Sequence, residues 1–580
     1  MFAGPLFARE LIIVSRGVKH FLLRAGYVLG FFLLIYTAEK AVIGFEASPG
    51  PGPAAAFGQI AFRLLAFLET VLLTFFAIVS CSGRVSQEKD RGTLVLLLMT
   101  DLSDASLVGG KLASGLLTPV VLALIGLPAL AAVARFGGVE QGQIVAASAV
   151  ALTTACAAGA WGTLVAFWRE KTFQTLAVGL LGPIAWVLAV EGLLLAVPSA
   201  GLLGGLDPLR ALWAVTNPLA GGAASYWAAE AALAGGLMAG LAAVFFAVAT
   251  NKVRVWNPSR VIRGQATAGP VEAADGGSAD TALAPRTATA RDHRQVWDSP
   301  ITWRELCTRA YGKKTAVIKA VVILLVAVAA AAAWRSDPGE LVYGLLPPAG
   351  VALVGVAFLG VLLINAQAVT SLTSERDGRT LELLLATEIT PADLTAGKLL
   401  GIAWNMREAF LGPVVVAVVA AARGALTPGE CVSAVFSYLA LAAFAAMVGL
   451  HSAGAHRDSR TAISASLGTV FFLLAGNLVF LLLLVEARGS FALQFQGFLI
   501  FIVAGGVGLG AALNTGRSAS ALWLAASLLP FLTFYAAGSF LLGDGLASTL
   551  AVVAAYGFAS VAMLIPATSE FGVAAGAGRG

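Results

Sequence analysis

The sequence predicts an all-α, polytopic helical membrane protein of about 14 transmembrane helices, arranged as two repeated halves. Three observations carry this prediction. First, 58% of the 580 residues are hydrophobic and only 12% are charged, about half the charged share of a soluble domain. Second, apolar runs of about 20 residues follow one another along most of the chain, each long enough to cross the hydrocarbon core of a bilayer. The runs do not alternate apolar and polar residues, as barrel strands do. Third, Glu88 to Lys111, EKDRGTLVLLLMTDLSDASLVGGK, recurs as Glu375 to Lys398, ERDGRTLELLLATEITPADLTAGK, at a constant offset of 287 residues with no gap. Glu88/Glu375, Asp90/Asp377, Thr93/Thr380, Leu94/Leu381, the triplets Leu96 to Leu98 and Leu383 to Leu385, Thr100/Thr387, Gly110/Gly397 and Lys111/Lys398 all match. Roughly half the positions are identical, the mark of an internal repeat.

Taken in order, residues 5–20 place Phe7, Leu11, Val14 and Val18 on one helical face, with Arg9 and Arg16 opposite. That pattern suits a helix lying in the membrane surface. Pro300, Arg304 and Glu305 repeat Pro5, Arg9 and Glu10, so the second half opens the same way. Spans are expected near 21–38, 57–82, 112–134, 143–167, 173–197 and 227–249, and again near 316–334, 345–369, 399–422, 431–453 and 462–485. Three more runs follow, near 491–513, 520–542 and 546–566. The domain plan is therefore a first half at 1–256, a linker at 257–298, a second half at 299–486, and C-terminal spans with a short tail at 487–580. The linker is rich in Ala, Thr, Gly, Asp and Pro, lacks an apolar period, and is expected to be disordered.

Charge sets the orientation. Lys and Arg gather at 84–91, 169–171, 252–263, 286–309, 313–319, 376–398 and 457–460. Those loops and both termini are expected on the cytoplasmic side of the cell membrane. An even number of spans per half keeps the repeats parallel, so both copies of the insertion face the cytoplasm. Each insertion is expected to hold a short helix from Thr93 or Thr380, followed by a second start at Ser103 or Thr390. Those two residues are good N-caps, Pro391 suits the first helical position, and Asp393 completes a capping-box-like pattern. The leucines are expected to pack on the membrane domain and the charges to face the cytoplasm. Sixty-five glycines suit close packing, for example Gly236 with Gly240, or Gly506 with Gly510.

This segment resembles the one after the second span of type-2 ATP-binding-cassette (ABC) exporter permeases. The resemblance rests on Glu-x-Asp/Glu-x-Gly-Thr-Leu-x-x-Leu-Leu, then Thr, a Ser/Thr cap and Gly-Lys, with an amphipathic helix before the first span. It covers both halves through their fifth spans. It implies that Glu88, Asp90, Gly92, Thr93, Leu94 and Lys111, with Glu375, Asp377, Thr380, Leu381, Glu382 and Lys398, belong to coupling helices that dock on ATPase subunits. Family permeases commonly have six spans and pair as two chains, so the resemblance also implies a fused pair that recruits two ABC ATPase subunits per chain. The second copy reads Gly378-Arg379 where the first reads Arg91-Gly92, so its helix start is expected to differ. The function this implies is that of an exporter permease. The alternative is a non-transporting scaffold or regulator that recruits a cytoplasmic partner.

Other chemistry is sparse. A Walker A motif needs GxxxxGK[ST], and neither Gly110-Lys111, Gly397-Lys398 nor Gly312-Lys313 fits it. ATP hydrolysis is therefore expected from a separate subunit, and the chain itself is not expected to be an enzyme. Cys81, Cys156, Cys307 and Cys431 are isolated, with no metal-binding spacing. No cofactor is expected, and no nucleic-acid partner; the lipid bilayer is the solvent. No removable signal peptide is expected at the N-terminus. Glu69 and Glu191 fall inside expected spans, where a carboxylate costs about 2.5–3.5 kcal/mol. Such groups face the protein interior, where they either line a substrate or ion path or tie helices together.

The orientation yields a direct test. Cysteines placed at positions 95, 280 and 382 react in intact cells only with membrane-permeant reagents, while one at position 205 reacts from outside. Labelling of position 280 by an impermeant reagent overturns the orientation.

Overall fold

The computed structural model describes residues 18–44, 50–90, 92–169, 172–196, 201–218, 226–257, 299–307, 314–335, 347–378, 380–487, 491–514 and 519–577. The expected surface helix at 5–20 lies almost wholly outside this set, as does the linker beyond residue 257. Among the described residues there is no strand. The helices are α1 (Val18–Val42), α2 (Pro51–Asp90), α3 (Thr93–Leu98), α4 (Asp104–Ala134), α5 (Gln141–Trp168) and α6 (Thr172–Ala196), then, after a 3₁₀ turn at Gly201–Leu206, α7 (Pro208–Thr216) and α8 (Tyr226–Trp256). The later helices are α9 (Pro300–Cys307), α10 (Lys314–Arg335), α11 (Pro348–Asp377), α12 (Thr380–Leu385), α13 (Pro391–Asn405), α14 (Arg407–Ala422), α15 (Pro428–Ala455), α16 (Ser459–Ala487), α17 (Phe491–Leu513), α18 (Ser520–Leu541) and α19 (Gly545–Ala577).

Ten helices among the described residues are long and apolar enough to cross a membrane, and a bent pair makes an eleventh. The protein is a multi-pass helical membrane protein. The bent pair is α13 and α14, which meet at 54° where the sequence predicts one straight span at 399–422. Polar residues stand at the break: Arg407 and Glu408 follow it, and Glu408 pairs with Lys319 of α10 at 3.2 Å. In the expected span at 173–197 the apolar stretch is the shorter Val178–Leu194, and in that at 491–513 it is Phe498–Leu513.

Local chemistry fixes the helix starts. Ser103 Oγ accepts from Ser106 N at 3.2 Å, and Thr390 Oγ1 accepts from Asp393 N at 3.1 Å, both as their sequence implies. Capping boxes open α5 (Glu140 with Gln143) and α15 (Thr427 with Glu430). Helix bounds recur at the 287-residue offset in α3 and α12, in α5 and α15, and at the starts of α4 and α13. Gly92 takes the left-handed conformation (φ 71°) ahead of α3, which suits glycine, whereas Gly378 has φ −79°. The register of the helix that follows is the same in both copies.

At the centre of the bundle, α2 packs against α4, α5 and α6, while α11 packs against α14, α15 and α16. The two groups meet where α2 touches α16, α11 touches α6, and α6 touches α16. Phe75 of α2 stacks on Phe471 of α16 with ring centroids 4.4 Å apart, flanked by Phe76, Phe358 and Phe472. Helix α8 closes on α5, and α19 closes on α15. Between α16 and α19 the chain inserts α17 and α18, which pack on each other; α17 also reaches α1.

Glycine contacts divide sharply. A β-carbon at Gly449 would stand 2.5 Å from Ala368 Cβ and 2.9 Å from Asn365 O, so α15 and α11 meet backbone to backbone there. Gly506 and Gly510 likewise face α18, the latter with Trp523 2.3 Å from where its β-carbon would lie. Gly236 and Gly240 differ from the sequence expectation: nothing lies within 4 Å of either. Gly449→Ala therefore lowers thermal stability in detergent, because overpacking costs about 1–3 kcal/mol. Gly236→Ala leaves stability unchanged or raises it, since alanine gains about 0.5–1 kcal/mol over glycine in a helix. Equal melting shifts for the two variants would contradict this packing.

Candidate functional site

The two copies of the repeated segment build two surface sites, each starting from a buried lysine. In the first, Lys111 lies on α4 with its side chain 3% exposed, and its Nζ donates to Glu88 Oε1 at 2.9 Å. Glu88 ends α2 and also accepts from the Thr93 hydroxyl, which opens α3. One carboxylate thereby joins α2, α3 and α4. Leu94 is buried with Val85, Leu107, Val108 and Phe167, and with Ala249 and Val253 of α8. The short helix therefore rests on four helix ends, while Leu96 (64% exposed) and Met99 (75%) face outward. Arg254 of α8 clamps the turn after α3: Nε reaches Asp104 Oδ1 at 2.7 Å, and Nη1 reaches Leu98 O at 3.2 Å.

The second site has the same plan, and there the described residues include a further helix, α9. Lys398 on α13 is 2% exposed, and its Nζ donates to Glu375 Oε1 and to Glu305 Oε1, both at 2.6 Å, and to Ser371 O at 3.1 Å. Arg304 also donates to Glu375. Arg304 and Glu305 belong to α9, which lies against α13. Gly397 and Gly401 make room for it: their β-carbons would stand 2.7 Å from Ile301 Cγ2 and 2.6 Å from Glu305 Cβ. Two cations and two carboxylates form a neutral set, with Arg304 as its partly exposed member. Thr380 Oγ1 donates to Glu375 O at 3.1 Å, and Leu381 packs against the main core. Leu383 is 71% exposed.

A third matched position lies beside each glutamate. Lys89 Nζ donates to Phe167 O and Arg169 O, at 2.7 and 2.9 Å, at the end of α5. Arg376, 287 residues on, donates to Ala453 O and His456 O, at 2.9 and 2.5 Å, at the end of α15. A cation on a helix C-terminus satisfies carbonyls that have no partner within the helix. This Lys/Arg pair was legible in the repeat as a conserved charge, yet identity alone passes over it.

The structure rearranges several sequence expectations. Glu88 and Glu375 both reach buried lysines, Glu375 with little exposure and Glu88 while remaining partly open to water. Asp377 accepts from Ser459 Oγ at 2.5 Å. The side chains of Asp90 and Glu382 lie outside the described residues. Not all leucines pack inward: Leu96 and Leu383 face outward.

The intramembrane candidates stand apart from these sites and from each other. Glu69 on α2 is 1% exposed, faces Gly126 of α4 and Phe31 of α1, and its Oε1 has no hydrogen-bond partner. Glu191 on α6 instead holds Arg210 of α7 through both oxygens, at 2.5 and 2.7 Å. That pairing crosses a loop and leaves no periodic signal in the sequence. Among the described residues, no group of three or more His, Cys, Asp or Glu is placed to hold a metal ion.

The two lysines are equally buried, but their carboxylate partners are not. Lys398→Met leaves Glu305 and Glu375, which are 5% and 14% exposed, with Arg304 as one cation for two carboxylates, and breaking a buried pair costs about 3–5 kcal/mol. Lys111→Met leaves Glu88, 26% exposed and open to water, so its loss is smaller. Thermal unfolding of the two variants in detergent should show that order, and the reverse order contradicts the burial difference.

No family model and no curated protein matches this chain.

Proposed function

We propose that this chain is the permease of an ABC exporter, with two permease halves fused, and that α3 and α12 are the helices on which two separate ATPase subunits dock. The observation that carries the reading is the shared wiring of α3 and α12. Each is tied by a Glu–Lys pair to the spans before and after it, and each turns one leucine outward, Leu96 or Leu383. A push on such a helix moves both spans together, because the ion pair and the buried leucine resist independent motion.

Three further features support the fused-pair reading. Helix bounds recur at one offset from α3 through the starts of α6 and α16. The contacts across the seam come in matched pairs: α2 with α16 corresponds to α11 with α6, and α1 with α16 corresponds to α10 with α6. An isologous arrangement of two equivalent units has this pattern. Third, α19 takes against α15 the place that α8 takes against α5. In this reading each half has six spans, the fourteen are completed by the α17–α18 hairpin, and both docking helices face the cytoplasm. ATP hydrolysis in the partners drives alternating access between the halves.

The test combines recruitment with turnover. In a native mass spectrum of the complex, one permease chain carries two ATPase subunits. Leu96→Asp with Leu383→Asp weakens ATPase affinity at least about tenfold, equivalent to about 1.4 kcal/mol, with little change in permease melting temperature. Two permease chains with two ATPases overturn the fused pair. A bound ATPase whose hydrolysis is not changed by the permease supports a scaffold instead.

A further inference from the structure

A cluster of charges at the end of the bundle opposite α3 takes no part in the proposed coupling. Asp207 is the N-cap of α7 and accepts from Leu209 N through Oδ1 at 2.9 Å. It is fully buried, and its Oδ2 has no donor. The Glu191 carboxyl of α6 lies within hydrogen-bonding reach of it, while Arg210 is engaged on Glu191 through Nε and Nη2. Two carboxyls and one guanidinium leave one negative charge over. A buried, uncompensated charge is strongly disfavoured, and two carboxyl oxygens bond each other only when one of them carries a proton.

We propose that Asp207 and Glu191 form a proton-binding site that latches α7 onto α6, held while the proton is bound and weakened as it leaves. The proposal stands whether or not the chain recruits an ATPase. The other elements packed on α7 bring no second cation to Asp207. Arg63 of α2 donates to Asn217 Oδ1 at 2.7 Å and lies over the Trp213 ring. Helix α5 brings Gln143, whose Nε2 donates to Val215 O at 2.5 Å, and Glu140 at its own cap. Helix α8 brings Tyr226 and Glu230, which act on each other; Arg210 also acts on Tyr226. The turn Gly201–Leu206 has no ionisable side chain, but its Leu206 O accepts from Trp186 Nε1 of α6 at 3.1 Å. Burial pushes the Asp207 carboxyl up to about 8, with Glu191 as the next cause.

The sign follows by linkage. A carboxyl whose value is raised in the closed state binds its proton more tightly there than when exposed. The closed latch has its full advantage at low pH. It loses that advantage as pH rises above the ordinary carboxylate range, and the loss levels off above about 8.

Hydrogen exchange of residues 201–216 in the full chain, held in lipid nanodiscs and corrected for intrinsic rates, reads the latch directly. In wild type, exchange accelerates by up to about tenfold per pH unit from about pH 5 and levels above about pH 8. Asp207→Asn keeps a good N-cap and makes the corrected rate independent of pH. Glu191→Gln, which frees Arg210 for Asp207, moves the rise to lower pH because burial alone then holds the carboxyl up, and it decides the matter if the Asn variant is unprotected throughout. A flat wild-type profile overturns the proposal, as does a Glu191→Gln profile that tracks wild type.

Discussion

Everything in the two surface sites depends on a lysine that cannot be left alone. Lys111 and Lys398 sit inside helix packing, and an ammonium there is tolerated only when carboxylates reach it. Glu88 and Glu375 do so from the last turns of α2 and α11, so each ion pair fixes where one span ends relative to the next. The short helix between them inherits its position from that constraint. Buried pairs of this kind add little net stability, because desolvation cancels most of their attraction. Their contribution is geometric: few arrangements of α2, α3 and α4 satisfy both partners.

Much of the bundle was legible because lipid simplifies the sequence. Long apolar runs announce helices, and the repeat announces which helices correspond. Caps at Ser103 and Thr390 were also readable, since capping is local. The roles of Glu88 and Glu375 were not, because direction into or out of the protein depends on Lys111 and Lys398, one helix away. The repeat marked all four residues without saying that they pair. Arg210 and Asp207 were invisible as partners of Glu191, since a loop and a 3₁₀ turn separate them. The break at Met406 was missed because α13 and α14 pass together as one apolar run, and only Arg407 and Glu408 signal the bend.

The two groups of helices are alike in plan but not in polar content. Glu69 has Val356 at the corresponding position, and the buried Asn365 bonds Ser466 on the other side of the molecule. The first group has α7 folded over it, while the second has α17 and α18 inserted before α19. Any cycle that moves the two groups against each other therefore works between partners that, among the described residues, are unequal, with the charge-bearing α7 on the first.

The position of α19 bears on how the protein is made. Helix α5 receives its neighbour α8 once α6 and α7 have been synthesised. Helix α15 receives α19 only after α16, α17 and α18 have all left the ribosome. During that interval the face of α15 that α19 will cover, including Tyr556's neighbour Phe444, is open to lipid or to insertion machinery. The first group of helices can thus be complete while the second is still waiting for its last member, and a stalled or cleaved nascent chain would leave the second unfinished.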